Sequence, residues 1–320
     1  MQVKIINLIV HFSSCLGVPY NQPKFCPNAS WNPNATTFAN SRTIGVRPYD
    51  IFINTNNTVY VSSQSGNGQI TVWLNENNVS ISNITTNTVY SYSIFATMAG
   101  DMYVETYYAI GGVSKWTVNS TTGIPVMYTC GSCYDLFVDI SNTLYCSING
   151  YNQVITKSLD IPSNTFKMVA GTGSAGPNPN MLWNPRGIFV DINFDLYVCD
   201  AGNDRIQLFR LGESNGTTLV GGSTVMYGMV LNTPSAVILD ADKNLYISDY
   251  GNHRIIGGSA ATGFRCIVGC TNPFGSSASQ LEFPWSINFD SYGNLFVTDS
   301  ANYRIQKFML SINSCGKLNK

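Results

Sequence analysis

Residues 184–209 read NPRGIFVDINFDLYVCDAGNDRIQLF. The pattern returns as TPSAVILDADKNLYISDYGNHRII over residues 233–256 and as FPWSINFDSYGNLFVTDSANYRIQKF over residues 283–308. Each copy holds an apolar run closing on Asp, a polar turn, a second apolar run around an aromatic residue, and a third run opening on Arg-Ile. Short β-branched and aromatic runs bounded by Asn, Asp and Gly are strands joined by tight turns. A unit of this size cannot bury its own apolar face and must stack on copies of itself.

The aromatic of the second run marks each copy: Tyr197, Tyr246 and Phe296, with weaker copies at Tyr60, Tyr103 and Tyr145. The markers lie 43, 42, 52, 49 and 50 residues apart, and six residues before them stand Asn54, Thr97, Asp139, Asp191, Asp240 and Asp290. A fourth run follows in several units, as in TFKMVAG (165–171) and TTLVGG (217–222). Four strands at this period describe a propeller blade. The fold expected is all-β: six four-stranded antiparallel blades, spanning about 46–89, 90–130, 131–182, 183–231, 232–281 and 282–310. The sixth copy ends at its third strand, and residues 35–45 (ATTFANSRTIG) resemble the missing fourth. That N-terminal strand would close the ring and leave no open edge. Residues 18–316 form one domain on this reading.

The motif Asp-x-Gly-Asn-x-Arg-Ile resembles the NHL repeat. It is carried by Asp200, Gly202, Asn203, Arg205 and Ile206, then by Asp249, Gly251, Asn252, Arg254 and Ile255. The third copy has Asp299, Asn302, Arg304 and Ile305, with Ala301 in place of Gly, and His253 makes the middle copy Asn-His-Arg. The resemblance covers residues 184–308 strongly and 46–183 less so. It implies an NHL propeller of the TolB-like superfamily, which is a scaffold and not an activity. Asp and Arg flank one turn and are expected to pair across it, with Gly and Asn supplying positive φ. Blades 1 to 3 carry Ser63, Thr106 and Ile148 at the Asp position and Gln69, Gly111 and Gln153 near the Arg position, so they lack the pair.

Charged residues make up only 11% of the 320, and the net charge is −1. No basic block appears, which argues against nucleic-acid binding. No apolar run approaches the length of a membrane span. The first 17 residues, MQVKIINLIVHFSSCLG, resemble a short secretory leader. Seven Asn-x-Ser/Thr acceptors occur, at Asn28, Asn34, Asn56, Asn78, Asn83, Asn119 and Asn215; six precede residue 120, so glycans would load the N-terminal half. Nine cysteines also suit an extracellular chain. Local disulfides are expected for Cys130–Cys133 and Cys266–Cys270, and a ring lock for Cys26–Cys315, with Cys15 competing for either partner. Cys146 and Cys199 read as buried thiols. SSCLG near one end echoes NSCGK near the other, as in a unit of a tandem array; otherwise a monomer is expected.

Eleven residues before each marker, at the start of the innermost strand, stand Tyr49, Tyr92, Tyr134, Arg186, Ser235 and Trp285. A purely structural position would be more uniform. Connectivity places Trp183, Tyr250 and Tyr303 around the same rim. Aromatic faces with an arginine suit stacking on sugar rings or gripping a peptide, although the rings can equally plug the channel by packing on one another. The next residues along are Asp50, Ser93, Asp135, Gly187, Ala236 and Ser286. Asp50 and Asp135 are the weak candidates for a Ca²⁺ site, as in gluconolactonase-type propellers. The expectation is a non-catalytic, secreted or cell-surface binding propeller without a cofactor, for a peptide, protein or glycan. One alternative is a Ca²⁺-dependent hydrolase or lactonase. Another is the NHL scaffold of a larger regulatory or ubiquitin-ligase assembly, whose usual RING, B-box or coiled-coil segments this chain lacks. Histidine-dependent zinc or lactonase chemistry is disfavoured, since the propeller holds only His253.

Overall fold

The computed structural model describes residues 18–64, 68–75, 82–85, 91–106, 111–117, 120–222, 229–270 and 274–311. Six four-stranded antiparallel sheets stand around a common axis as propeller blades. The first strand of each blade packs on the first strands of its neighbours: Pro48–Ile53, Ile94–Ala96, Cys133–Val138, Pro185–Val190, Ala236–Leu239 and Pro284–Phe289. The ring closes as expected. Thr36–Asn40 pairs antiparallel with Arg304–Phe308 as the outer strand of the sixth blade.

The residue six before each marker builds the turn between first and second strands. Asp191 Oδ1 accepts from the amides of Asn193 and Asp195, at 2.8 and 3.0 Å. Asp139, Asp240, Asp290 and Asn54 do the same in their blades. A short acceptor side chain that captures amides two and four residues on is what selects Asp or Asn here.

The turn between second and third strands departs from expectation in where its positive φ falls. Positive φ falls on the variable residue before Arg, namely Asp204 (53°), His253 (55°) and Tyr303 (55°), rather than on Gly or Asn. At Gly202 glycine serves for space, since a Cβ there would sit 2.8 Å from the Trp183 carbonyl oxygen; the third copy accommodates Ala301 at the equivalent place. The Asp–Arg pairs lie in the interior of the turn. Asp200, Asp249 and Asp299 are fully buried and meet the Nε of Arg205, Arg254 and Arg304 at 2.6, 2.9 and 2.7 Å. Arg205 further donates to the carbonyls of Pro177, Asn178 and Met181, and Arg304 to those of Ser276, Ser277 and Gln280. Each pair thus pins the long loop that enters its blade.

Residues 18–34 form a strap across the face opposite the aromatic mouth. Tyr20 is buried against Phe137 and Phe189 at the channel axis, and its hydroxyl lies 3.4 Å from the Val190 carbonyl. Asn21 Nδ2 lies within 3.3 Å of the carbonyls of Ile53, Asn54 and Phe289. Phe25 and Trp31 wedge against Tyr246 and Phe289, with Trp31 Nε1 donating to the Gly293 carbonyl at 2.9 Å. The strap therefore stoppers one end of the channel.

The cysteines require a correction. Cys133 bonds to Cys146, not to Cys130, which is a free, exposed thiol. Cys133 begins an inner strand and faces the second strand of the same blade, with a register shift between Cys133 and Asp135; its Cα lies 5.2 Å from that of Cys146. Cys146 is consequently not a thiol, whereas Cys199 is a buried one. Cys266 and Cys270 are joined. Cys26 is disulfide-bonded; Cys15 and Cys315, and the leader-like residues 1–17, lie outside the described residues.

Candidate ligand-binding face

Because strands alternate in direction, the starts of the first strands and the turns between second and third strands share one face. There the predicted aromatics meet. Tyr49 packs on Tyr92 (centroids 4.9 Å) and on Trp285 (5.3 Å), and Tyr92 stacks on Tyr134 at 4.7 Å and 10°. Arg186 lies between two rings, its guanidinium carbon 4.9 Å from the centroid of Tyr250 and 4.8 Å from that of Trp285. Tyr49, Tyr92, Tyr134, Arg186 and Trp285 are each half-buried, so the cluster stops the channel while keeping part of its surface outward. Above it lies a depression of about 370 Å³, lined by Tyr49, Tyr92, Tyr134, Trp285 and Tyr303 with Arg47, Tyr250 and Phe283.

The structure does not bring Trp183 into this group. Its ring lies over Gly202 and is half exposed, away from the depression. Arg47 and Phe283 were missed. Both precede the proline that opens an inner strand and both have positive φ (46° and 50°), as do Asn184 and Thr233 at the equivalent places. That shared Xaa-Pro position was the available signal.

Burial disfavours the charged form of Arg186, and its Nε and Nη1 are buried with no hydrogen-bond partner among the described residues. Arg47 is exposed beside the tyrosines. Arg47 is the one charged side chain in the lining of the depression, and no carboxylate lies there; Arg186 sits behind the rings of Tyr250 and Trp285.

Asp50 and Asp135 sit one layer below and are committed to holding blades together. A belt of hydrogen bonds runs round the whole ring. Ser286 Oγ donates to Asp50 (2.6 Å), Ile94 N to Asp50 (2.8 Å), Leu136 N to Ser93 Oγ (2.9 Å) and Ile188 N to Asp135 (2.7 Å). Gly187 N then donates to the Ser235 carbonyl (2.9 Å), and Ser235 Oγ to the Trp285 carbonyl (2.6 Å). Ser93 Oγ also lies 3.1 Å from Asp50 and 2.9 Å from Asp135. One hydroxyl proton cannot serve two carboxylates, so the arrangement is satisfied when Asp135 is protonated and donates to Ser93, which donates to Asp50. Burial, and then the charge of Asp50, raise Asp135 to about 8; burial also raises Asp50. Below this layer the two carboxyls line a small space of about 50 Å³ that is also lined by Tyr20 and Asn21 of the strap. Among the described residues no group of three or more His, Cys, Asp or Glu could hold a metal ion. With their oxygens taken by amides and hydroxyls, these two residues do not fit an oxygen-rich Ca²⁺ cage.

Two residues after each marker stands Ser62, Glu105, Ser147, Cys199, Ser248 or Thr298. Ser62, Ser147 and Thr298 accept from the amide of the inner-strand residue Asp50, Asp135 or Ser286. Glu105 breaks the series: it is fully buried, burial raises it to about 8, and its Oε1 has no partner among the described residues.

No family model matches the chain, and no curated protein matches it. Solved structures do. A structural-genomics protein of unknown function from Bacteroides thetaiotaomicron is 12% identical, with TM-score 0.69 over 87% of this chain and 76% of that one. A putative gluconolactonase is 10% identical, with TM-score 0.63 over 92% and 98%. Virginiamycin B lyase from Staphylococcus aureus is 12% identical, with TM-score 0.53 over 88% and 100%. At these identities the likeness is one of fold: a six-bladed β-propeller.

Proposed function

We propose that this chain is a non-catalytic binding propeller of the NHL type, working outside the cell, that seats a peptide, protein or glycan ligand on the aromatic mouth. The observation that carries this reading is the continuous ring cluster Tyr49–Tyr92–Tyr134–Trp285–Tyr250 around Arg186, at a position where a repeat with no ligand would be uniform. Aromatic and arginine anchors in a shallow depression are the usual composition of binding hot spots. Arg47, exposed in the lining of the depression, favours a ligand that carries an anionic group, such as a carboxylate. Two disulfides and the absence of a long apolar helix among the described residues are compatible with an extracellular setting.

Arrays of glycans and of peptides, probed with the wild type and with a Tyr134→Ala, Trp285→Ala double variant, test the proposal. The expected result is a ligand class bound by the wild type and lost, by about tenfold or more, in a variant that keeps its strand spectrum. Undiminished binding by the double variant would refute the site. The second reading, a Ca²⁺-dependent hydrolase centred on Asp50 and Asp135, needs those carboxyls free of their blade-to-blade ties. Calorimetry detecting Ca²⁺ binding that Asp135→Asn abolishes would favour it instead.

A further inference from the structure

The Asn-x-Ser/Thr acceptors concentrate in the N-terminal half of the sequence, but the fold sorts them differently. Asn56 lies between the first and second strands of blade 1, after Ile53 and before Val59. Asn215 lies between the third and fourth strands of blade 4, after Phe209 and before Thr217. In antiparallel blades both kinds of turn fall on one face, opposite the aromatic mouth. Asn28 and Asn34 lie on the strap, which is fixed to that same face through Pro23–Ala241, Lys24–Asp242 and Trp31–Gly293 contacts and through the Asn32 amide to the Met309 carbonyl. All four asparagines are exposed. The side chains of Asn78, Asn83 and Asn119 lie outside the described residues. The four acceptors whose side chains are described thus all lie on the face opposite the mouth.

We infer that the propeller is N-glycosylated on one face only, at Asn28, Asn34, Asn56 and Asn215, with the aromatic mouth left bare. In each modification Nδ2 of the asparagine forms a bond to C1 of the sugar. The C1–oxygen bond of a lipid-diphosphate-linked oligosaccharide breaks, the lipid diphosphate leaves, and the amide nitrogen gives up one proton. Such a glycan is bulky and strongly hydrated, so it makes the strap face a poor docking surface and leaves the mouth face open. The inference rests on the extracellular part of the proposed function and is independent of what the mouth binds.

The test is to pass the full chain through the secretory pathway of a eukaryotic cell and map the glycans by mass after enzymatic release in ¹⁸O water. Hydroxyl-radical footprinting before and after release then reports which face the sugars cover. Tyr292, Ile140 and Ile192 are exposed reporters in first-to-second-strand turns of the strap face; Trp183, Tyr151 and Tyr303 are exposed reporters on the mouth side. The expected result is ¹⁸O label at all four asparagines, with oxidation of Tyr292 slowed about twofold or more by the glycans and that of Trp183, Tyr151 and Tyr303 unchanged. Sugar-free acceptors in secreted protein, or equal protection of the mouth reporters, would overturn it. Either result leaves the array experiment on the mouth untouched.

Discussion

Arg205 binds one buried carboxylate and three loop carbonyls, so its loss strips partners from several groups at once. Removing one member of a buried, hydrogen-bonded pair typically costs about 3–5 kcal/mol. Arg205→Ala should therefore lower unfolding stability by that order, whereas Gln69→Ala at the equivalent turn of blade 1 should cost about 1 kcal/mol or less; chemical denaturation compares them. Asp135 offers a second test. An unfolded Asp releases its proton near 3.8, while folded Asp135 keeps its proton to about 8. The folded state binds the extra proton between those values, so its contribution is complete below the unfolded value and is lost as pH rises through about 8. Denaturation midpoints should fall from pH 5 to pH 9, and Asp135→Asn, which mimics the protonated side chain, should flatten that slope. An unchanged slope would place the proton elsewhere.

At the scale of elements, the second-to-third-strand turn shows why a motif can be legible and its energetics not. Blade 3 has Ile148 and Gln153 where blade 4 has Asp200 and Arg205, yet it forms the same short 3-10 turn, with Asn152 at φ 54°. Backbone geometry is common to both, and the buried pair adds anchorage for the incoming loop. Hydrogen exchange should then be faster at the amides around Gln153 than around Arg205, Arg254 and Arg304; uniform protection would contradict this. The Cys133–Cys146 disulfide was hidden because Cys130 is nearer in sequence, while the approach of Cys146 depends on the pairing of the two strands and the register shift between Cys133 and Asp135. Replacing both by Ser should cost about 2–4 kcal/mol, read by denaturation against the wild type. The strap was hidden for a related reason: Tyr20, Phe25 and Trp31 have no strand period, and their burial depends wholly on what the ring presents to them.

At the scale of the molecule, the repeat made blade number and ring closure readable, because six markers with a missing fourth strand admit one closed arrangement. The mouth was readable as a position that refuses to repeat. What the sequence could not show was the commitment of Asp50 and Asp135 to a belt spanning all six blades, since each hydrogen bond joins residues about 40 to 240 positions apart. Nor could it show that Arg47 and Phe283 join the rim while Trp183 leaves it. The belt separates two layers: the mouth, proposed to seat the ligand, and the carboxyls, which tie blade to blade. The most direct measurement is calorimetric titration of the ligand found on the arrays into three proteins: wild type, the Tyr134→Ala, Trp285→Ala variant, and Asp135→Asn. The account predicts binding lost by about tenfold or more in the mouth variant and retained in Asp135→Asn. Binding retained in the mouth variant and lost in Asp135→Asn would contradict it, and would move the function into the channel.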